Sequence, residues 1–519
     1  MRQTIVVIAL MLGSLTSVPG VAAKPEIDPG ALQPGEGMVM MRIIATRDVA
    51  MNTQKWQRLR LREVQTRESY TLANVFFGRT TSSYFRQSLP AGDYELSNVE
   101  SGTSGGPASF EASARFPDGF RFSVIAGRLT DLGTLFYVRP YSPADTSRFD
   151  WIYAADTDFA RHTKYLLAAG EAESLLFAPL GWTTIPRGSD RSRLDERMKR
   201  MSMALAGRAS TADGGLMFGE LFGQVVRRSR DGNWIWEETG AAETIAAAVE
   251  GTDEKWWAVA ENSTLLRRDA PGKWQRVEVP IANATPCFVS PEIDGALTTI
   301  WETRTSIVMF NYQPKDKSPW TERRRIESAN SWPGAGVGYC SVLPSIPYFT
   351  IVTSVLGFTS PKYTFDVFNR TTGEWQRYPQ IKVYGAVGTF TDGSIYAIAG
   401  PNAKQKFRVS RDFGKTWETR SSLSWSGLPG FRNVNDGFLL HTDHIPLFKA
   451  ENFGLSLWLT SDGGKRWKPF AAMPSGLIAA AIPLEEQGMM FVTSTGQMFV
   501  SPDNGKTFVM ERDSSAETW

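Results

Sequence analysis

From about residue 211 to the C-terminus, short apolar or alternating runs are separated by clusters of Gly, Asp, Asn and Pro. "GSIYAIAG" (393–400), "KFRVSRD" (406–412), "YTFDVFNRTTGEW" (363–375) and "QGMMFVTSTGQMFVSPDNG" (487–505) are representative. Runs of this length with period-2 alternation and turn residues at both ends predict strands joined by hairpins, and helical periodicity is absent. The pattern therefore predicts an all-β fold for this region.

The hairpins repeat. "SRDFGKTW" (410–417) returns as "TSDGGKRW" (460–467) and as "SPDNGKTF" (501–508). In each, an aromatic follows an Asp by five residues, an offset also found at Asp231 to Trp236 and Asp269 to Trp274. Trp320 and Trp375 end two weaker copies that lack the Asp at that offset. The aromatic anchors at 236, 274, 320, 375, 417, 467 and 508 are spaced by 38 to 55 residues, the size of one four-stranded propeller blade. Because such a sheet cannot bury both faces alone, seven of them stacked radially predict a seven-bladed β-propeller over 211–519.

Within the octet each residue type has a mechanical role. The Asp carboxylate accepts backbone N–H groups across the turn, and Gly adopts φ > 0 without a Cβ clash. Ser or Thr bonds locally, and the aromatic buries area against a neighbouring sheet. The pattern S/T-x-D-x-G-x-T-W/F resembles the Asp-box of the sialidase-like, or BNR-repeat, propellers. Ser410, Asp412, Gly414, Thr416 and Trp417 carry it, as do Thr460, Asp462, Gly464 and Trp467, and Ser501, Asp503, Gly505, Thr507 and Phe508. "SRDGNWIW" keeps Ser229, Asp231 and Trp236 but has Asn233 at the Gly place. The resemblance implies hairpins joining the third and fourth strands of each blade, on the rim away from any active centre, with structural rather than catalytic carboxylates.

Residues 31–142 have a different texture, with strand-like pieces such as "GMVMMRIIAT", "WQRLRLREV" and "YFRQSLPAGDYELSNVE". They predict a compact β-sandwich. "LPAGDYEL" followed by "FSVIAGRLTDLGTL" is similar to the small prealbumin-like sandwiches of bacterial envelope proteins. Residues 143–210 read as a partly helical connector, with Leu194, Met198, Met201 and Leu205 at helical spacing as a packed face. "SLLFAPLGWTTIP" (174–186) is an alternative source of an early strand that would close the ring with "TFVMERD".

Residues 1–23 hold one Arg, an apolar run from Ile5 to Leu12 and small residues ending at Ala23, the form of a secretory signal peptide. No later run reaches the length of a membrane-spanning helix, so the expected mature chain is exported, periplasmic or extracellular, with no integral membrane segment. A net charge of +2 from 56 Lys plus Arg against 54 Asp plus Glu gives no basic field for nucleic acid. In an exported compartment the two cysteines, Cys287 and Cys340, can pair. They lie 33 and 35 residues before Trp320 and Trp375, nearly the same place in neighbouring units, which makes them a candidate disulfide between innermost strands.

Sequence motifs assign no catalytic residue. The sialidase family's first Arg motif is approached only by "TTIPRGSD", where Thr184 stands at the Arg place and Arg187 follows the Pro, and the remaining sialidase residues have no local match. The three His (His162, His441, His444) do not supply the three or four convergent ligands that zinc requires, so no metal and no cofactor are expected. No phosphate-binding Gly loop occurs. Two readings remain. One is a binding or assembly propeller for a protein, peptide or glycan, similar to the Asp-box propellers that act as photosystem assembly factors or sortilin-type receptors. The other is a glycan-active hydrolase whose carboxylates would converge in the channel.

Overall fold

The computed structural model describes two units, treated separately below. Outside the described residues lie 1–31, 46–55, 75–81, 102–111, 139–149, 155–175, 179–180, 186–205 and 513–519. So do 242, 252–254, 262, 282–283, 293, 304–305, 328–337, 345–347, 356–361, 383–386, 391, 400–404, 424–428, 443–454, 473–477, 485–487 and 494–496.

The first unit is built from eleven strands: β1 (Glu36–Ala45), β2 (Arg58–Glu63), β3 (Ser69–Ala73), β4 (Ser82–Pro90), β5 (Gly92–Ser101), β6 (Ala112–Arg115), β7 (Arg121–Val124), β8 (Arg128–Val138), β9 (Asp150–Ala154), β10 (Leu176–Ala178) and β11 (Trp182–Thr184). One sheet runs β10-β8-β1-β4 with β9 also on β8, and the other runs β11-β7-β5-β2-β3 with β6 also on β5. Alternation drives their packing. In "RLRLRE" of β2, Leu59 and Leu61 are buried while Arg58, Arg60 and Arg62 are exposed. The inward residues of both sheets, among them Val39, Met41, Ile43, Leu59, Leu61, Phe85, Tyr94, Phe122 and Leu135, form one core.

The second unit contains seven four-stranded antiparallel sheets, spanning 206–238, 245–278, 285–327, 338–382, 387–423, 430–472 and 478–512. We number them blades I to VII. In each, the four strands pair in chain order, so every connection within a blade is a hairpin. First strands of successive blades lie side by side, as at Ala206–Ser210 beside Ile245–Glu250 and Thr285–Pro291 beside Gly338–Pro344.

Shared apolar clusters show how the sheets are arranged. Met217 and Val225 of blade I pack with Trp256 and Leu266 of blade II; Val259 of II with Val289 and Val308 of III; Ile300 and Met309 of III with Phe349 and Ile351 of IV. Val352 and Phe365 of IV meet Ile395 of V; Ile398 and Phe407 of V meet Phe431 and Leu439 of VI; Phe438 and Leu457 of VI meet Met489 and Phe491 of VII. The last cluster joins Met490 and Met498 of VII to Phe218 and Val226 of I. Each sheet thus buries both faces against its two neighbours and the series closes on itself: the unit is a β-propeller.

Two expectations change. Residues 174–186 do not close the ring, because β10 pairs in parallel with β8 and β11 pairs antiparallel with β7, both within the first unit. That unit therefore extends past residue 142, and the first propeller strand begins at Ala206. Within the segment expected to be partly helical, the described residues 150–154 and 206–210 are strands, whose β-branched, aromatic and small residues find sheet edges to pair with. Leu194, Met198, Met201 and Leu205 lie outside the described residues.

Candidate functional site

The three octets form one geometry. Asp412 Oδ1 accepts from Ser410 Oγ (2.8 Å) and Thr416 N (2.8 Å), and Oδ2 accepts from Thr416 Oγ1 (2.6 Å). Ser410 Oγ in turn accepts from Gly414 N (2.6 Å), and Trp417 Nε1 donates to Gly414 O (3.1 Å). Asp503 repeats the pattern with Ser501 and Thr507, whereas Asp462 replaces the Thr hydroxyl by Arg466 Nε (2.8 Å). Burial opposes ionisation of Asp412 and Asp462, but these donors outweigh it and hold both carboxyls below their ordinary value, Asp462 at about 2. Thr507 backbone and side chain hold Asp503 at about 2. The turn also needs left-handed backbone at two successive residues: Phe413 (φ 57) and Gly414 (φ 89), Gly463 and Gly464, Asn504 and Gly505. Phe413 tolerates that conformation while its ring stacks on Tyr378 of blade IV, 5.9 Å between centroids.

The copy in blade I is built differently. Its turn is only Ser229 to Asn233, between the paired residues Arg228 and Trp234, so Trp234 rather than Trp236 follows the turn directly. Asn233 N donates to Ser229 Oγ (3.0 Å), and Asp231 is exposed. Three residues fewer leave too short a loop for the octet's hydrogen bonds. In blade II, Asp269 lies in the third strand (Thr264–Ala270), ion-paired with Arg267 at 2.8 Å, and only Pro271 and Gly272 make the turn.

All seven anchors pack on the preceding blade: Trp274, Trp320, Trp375, Trp417, Trp467 and Phe508 each join the cluster shared with that blade, and Trp234 and Trp236 both join the cluster shared with blade VII. Three residues further along the last strand the side chain faces the other way. There Glu237 of blade I accepts from Arg268 Nε (2.7 Å) and Trp274 Nε1 (3.2 Å) of blade II. Tyr378 of IV meets Phe413 of V, and Arg420 of V donates to Gly463 O of VI (2.7 Å). Phe470 of VI covers Gly505 of VII, and Glu511 of VII accepts from Arg228 and Trp234 of I. In blades V to VII this residue (Arg420, Phe470, Glu511) is the extra residue of a β-bulge, which aims it at the next blade. The sequence carried this signal as a fixed offset of three from the anchor, hidden because the residue types differ.

At the opposite ends of blades I and II, three buried glutamates gather. Glu220 is in the connection between second and third strands of blade I, Glu261 in that of blade II, and Glu243 in the crossover from I to II. Their backbones are tied together: Ile245 N donates to Glu220 O (2.9 Å) and Glu261 N to Thr244 O (3.3 Å). Arg276 Nη2 stands 3.7 Å from a Glu243 carboxylate oxygen. No motif in the sequence marked these residues.

Cys287, in the first strand of blade III, is disulfide-bonded and partly buried against the III–IV cluster. Cys340 is in the first strand of blade IV, and its side chain lies outside the described residues. Thr184 is in β11 of the first unit, donating Oγ1 to Gly119 O (2.8 Å); Arg187, His162 and His444 lie outside the described residues. His441 packs its ring 4.5 Å from that of Trp458. Among the described residues no three His, Cys, Asp or Glu converge as a metal site, and no helix is long and apolar enough to cross a membrane.

No family model matches the chain, and no curated protein matches it. Solved structures do. YCF48 bound to D1 peptide aligns at 14% identity over 58% of this chain and 90% of its own, TM-score 0.39. The polysaccharide lyase PL25, an ulvan lyase, bound to -[GlcA(1-4)Rha3S]- aligns at 10% identity over 58% and 95%, TM-score 0.40. The β-propeller domain of the trilobed protease from Pyrococcus furiosus aligns at 9% identity over 61% and 100%, TM-score 0.39. The propeller fold itself is read from this chain's own strand pairing.

Proposed function

We propose that the chain is an exported, non-catalytic binding or assembly propeller of the Asp-box superfamily, recognising a protein, peptide or glycan. One observation carries this reading. The carboxylates of the repeated turns are engaged within their own turns, while the exposed large hydrophobics concentrate on one sector: Phe470, Val509, Met510 and Ile235, four of the five among the described residues, lie on the outer strands of consecutive blades VI, VII and I. Exposed apolar side chains grouped in this way mark interaction surfaces. Export is proposed from residues 1–23, and nucleic acid is not proposed as a partner. The test is cross-linking of the purified protein to the exported fraction of its source cells, with linkage sites mapped by mass spectrometry. One recurrent partner linked to one sector of the ring is the expected result; scattered linkages together with depolymerisation of an added polysaccharide would refute it.

A second reading, a glycan-active hydrolase, is favoured by the buried Glu220, Glu243 and Glu261 at the end of the blades away from the octets. Paired carboxylates are the groups that glycoside hydrolysis uses. Under that reading Glu243→Gln and Glu261→Gln abolish turnover of a polysaccharide without loss of fold; under the binding reading there is no turnover to lose.

A further inference from the structure

Outer strands of propeller blades are sheet edges, and four of them here are guarded by charge or polarity. The last strand of blade II carries Lys273, Arg276 and Glu278; that of blade III, Glu322, Arg325 and Glu327. Blade V has Glu418 there, and blade IV has Arg377. Blade VII differs. Its last strand (Val509–Arg512) exposes Val509 by 56% and Met510 by 46%. Met510 pairs with Phe499, which faces blade VI, and Phe470 of blade VI, 44% exposed, covers Gly505 of blade VII from the other side. Phe470 and Met510 therefore lie on the facing sides of blades VI and VII, bordering the outer groove between them.

The charges around that groove are unbalanced. Lys465, Lys468 and Lys506 are exposed on the turns and outer strand beside it. The nearby carboxylates are committed: Asp462 to Thr460 and Arg466, Asp503 to Ser501 and Thr507, and Glu511 to Arg228. Arg432 donates to Asn504 of blade VII and is countered by Asp436, so it adds nothing to this imbalance.

We propose that the groove between blades VI and VII is a docking site for an extended segment of a partner protein, laid along the outer strand of blade VII, with apolar side chains over Phe470 and Met510 and acidic ones at Lys465, Lys468 and Lys506. The proposal rests on the binding reading above and gives it a place and a partner chemistry. The outer edge of Val509–Arg512, on which no strand among the described residues pairs, supplies backbone hydrogen bonds, the apolar pair supplies buried area, and the lysines select an acidic sequence.

The probe is a fluorescent synthetic peptide alternating Leu with Glu, titrated into the full chain, beside the same peptide with Lys in place of Glu. Binding of the acidic peptide, slowed exchange of N–H groups in Val509–Arg512, and a weakening of about tenfold or more in Met510→Ser and in the double variant Lys468→Glu, Lys506→Glu are expected, with unchanged melting. Phe470→Ser supplies a second apolar variant, read only if it melts like the parent. The proposal is overturned if the acidic peptide does not bind, if the Lys peptide binds equally, or if protection falls elsewhere. It is also overturned if the groove is occupied by a second copy, seen as a dimer lost in Met510→Ser, or by anionic vesicles whose binding is lost in that variant. A cross-linked partner at another sector would sink this site and leave the binding reading standing.

Discussion

Glu511 and Arg228 are 283 residues apart in sequence and 2.5 Å apart across the seam between the last blade and the first. The contact is bidentate, with Arg228 Nε donating at 2.9 Å and the Trp234 indole N–H donating to the same carboxylate at 3.1 Å. Glu237 makes the same contact with Arg268 and Trp274 one blade on. The seam is therefore held as the other junctions are, by an apolar cluster inside and a side chain from the last strand outside.

Glu511→Ala should cost about 3 kcal/mol, because Arg228 would stay buried without its partner. Replacing both, as Arg228→Met with Glu511→Leu, should recover most of that loss. A double-mutant cycle by denaturant unfolding measures it; strictly additive effects would show that the pair does not couple.

Gly464→Ala should be far more damaging than Gly272→Ala, although both glycines have positive φ. A Cβ at Gly464 would lie 2.3 Å from the Phe407 ring, whereas at Gly272 nothing stands within 4 Å. Strain alone at Gly272 predicts about 1 kcal/mol, and strain plus the clash at Gly464 about 3 kcal/mol or more. Equal losses in thermal unfolding would mean that blade V does not approach the turn so closely.

Acid should destabilise the propeller in a defined window. Asp462 and Asp503 have folded values of about 2 against an ordinary 3.8, so their contribution is fully present above about pH 4 and is lost as pH falls towards 2. Asp503→Asn should be less stable than the parent at neutral pH and should show a shallower decline between pH 4 and 2. A parallel decline would assign the acid sensitivity to other carboxyls.

The partner of Cys287 is expected to be Cys340, the other cysteine of the chain, in the neighbouring first strand of blade IV. Thiol labelling of the denatured, unreduced protein should find no free thiol until reductant is added. Two free thiols would remove the bridge; for a loop of this size it is worth about 4 kcal/mol.

What could be read from the sequence was whatever large side chains do at fixed spacing. Trp417, Trp467 and Phe508 announce blades because each must bury a ring against the preceding sheet, and the octet announces a turn because its donors and acceptors are local. Arg420, Phe470 and Glu511 shared no chemistry, so their common role at a bulge was not legible. Trp234 displaced Trp236 because a turn three residues shorter leaves no mark on the aromatic spacing. The edge partners of β10 and β11 depend on non-local pairing within the first unit, and Glu220, Glu243 and Glu261 come together only through the blade connections.

The central claim is that the repeated octet holds the fold while recognition lies on the outer groove. Melting temperature and affinity for the acidic peptide, measured on Asp412→Ala and Met510→Ser side by side, test it most directly. Asp412→Ala removes the acceptor for Ser410 and Thr416 and should cost about 1 to 3 kcal/mol with affinity unchanged; Met510→Ser should melt like the parent and lose affinity. An Asp412→Ala protein that melts normally but no longer binds, beside a Met510→Ser protein that binds as before, would contradict the account.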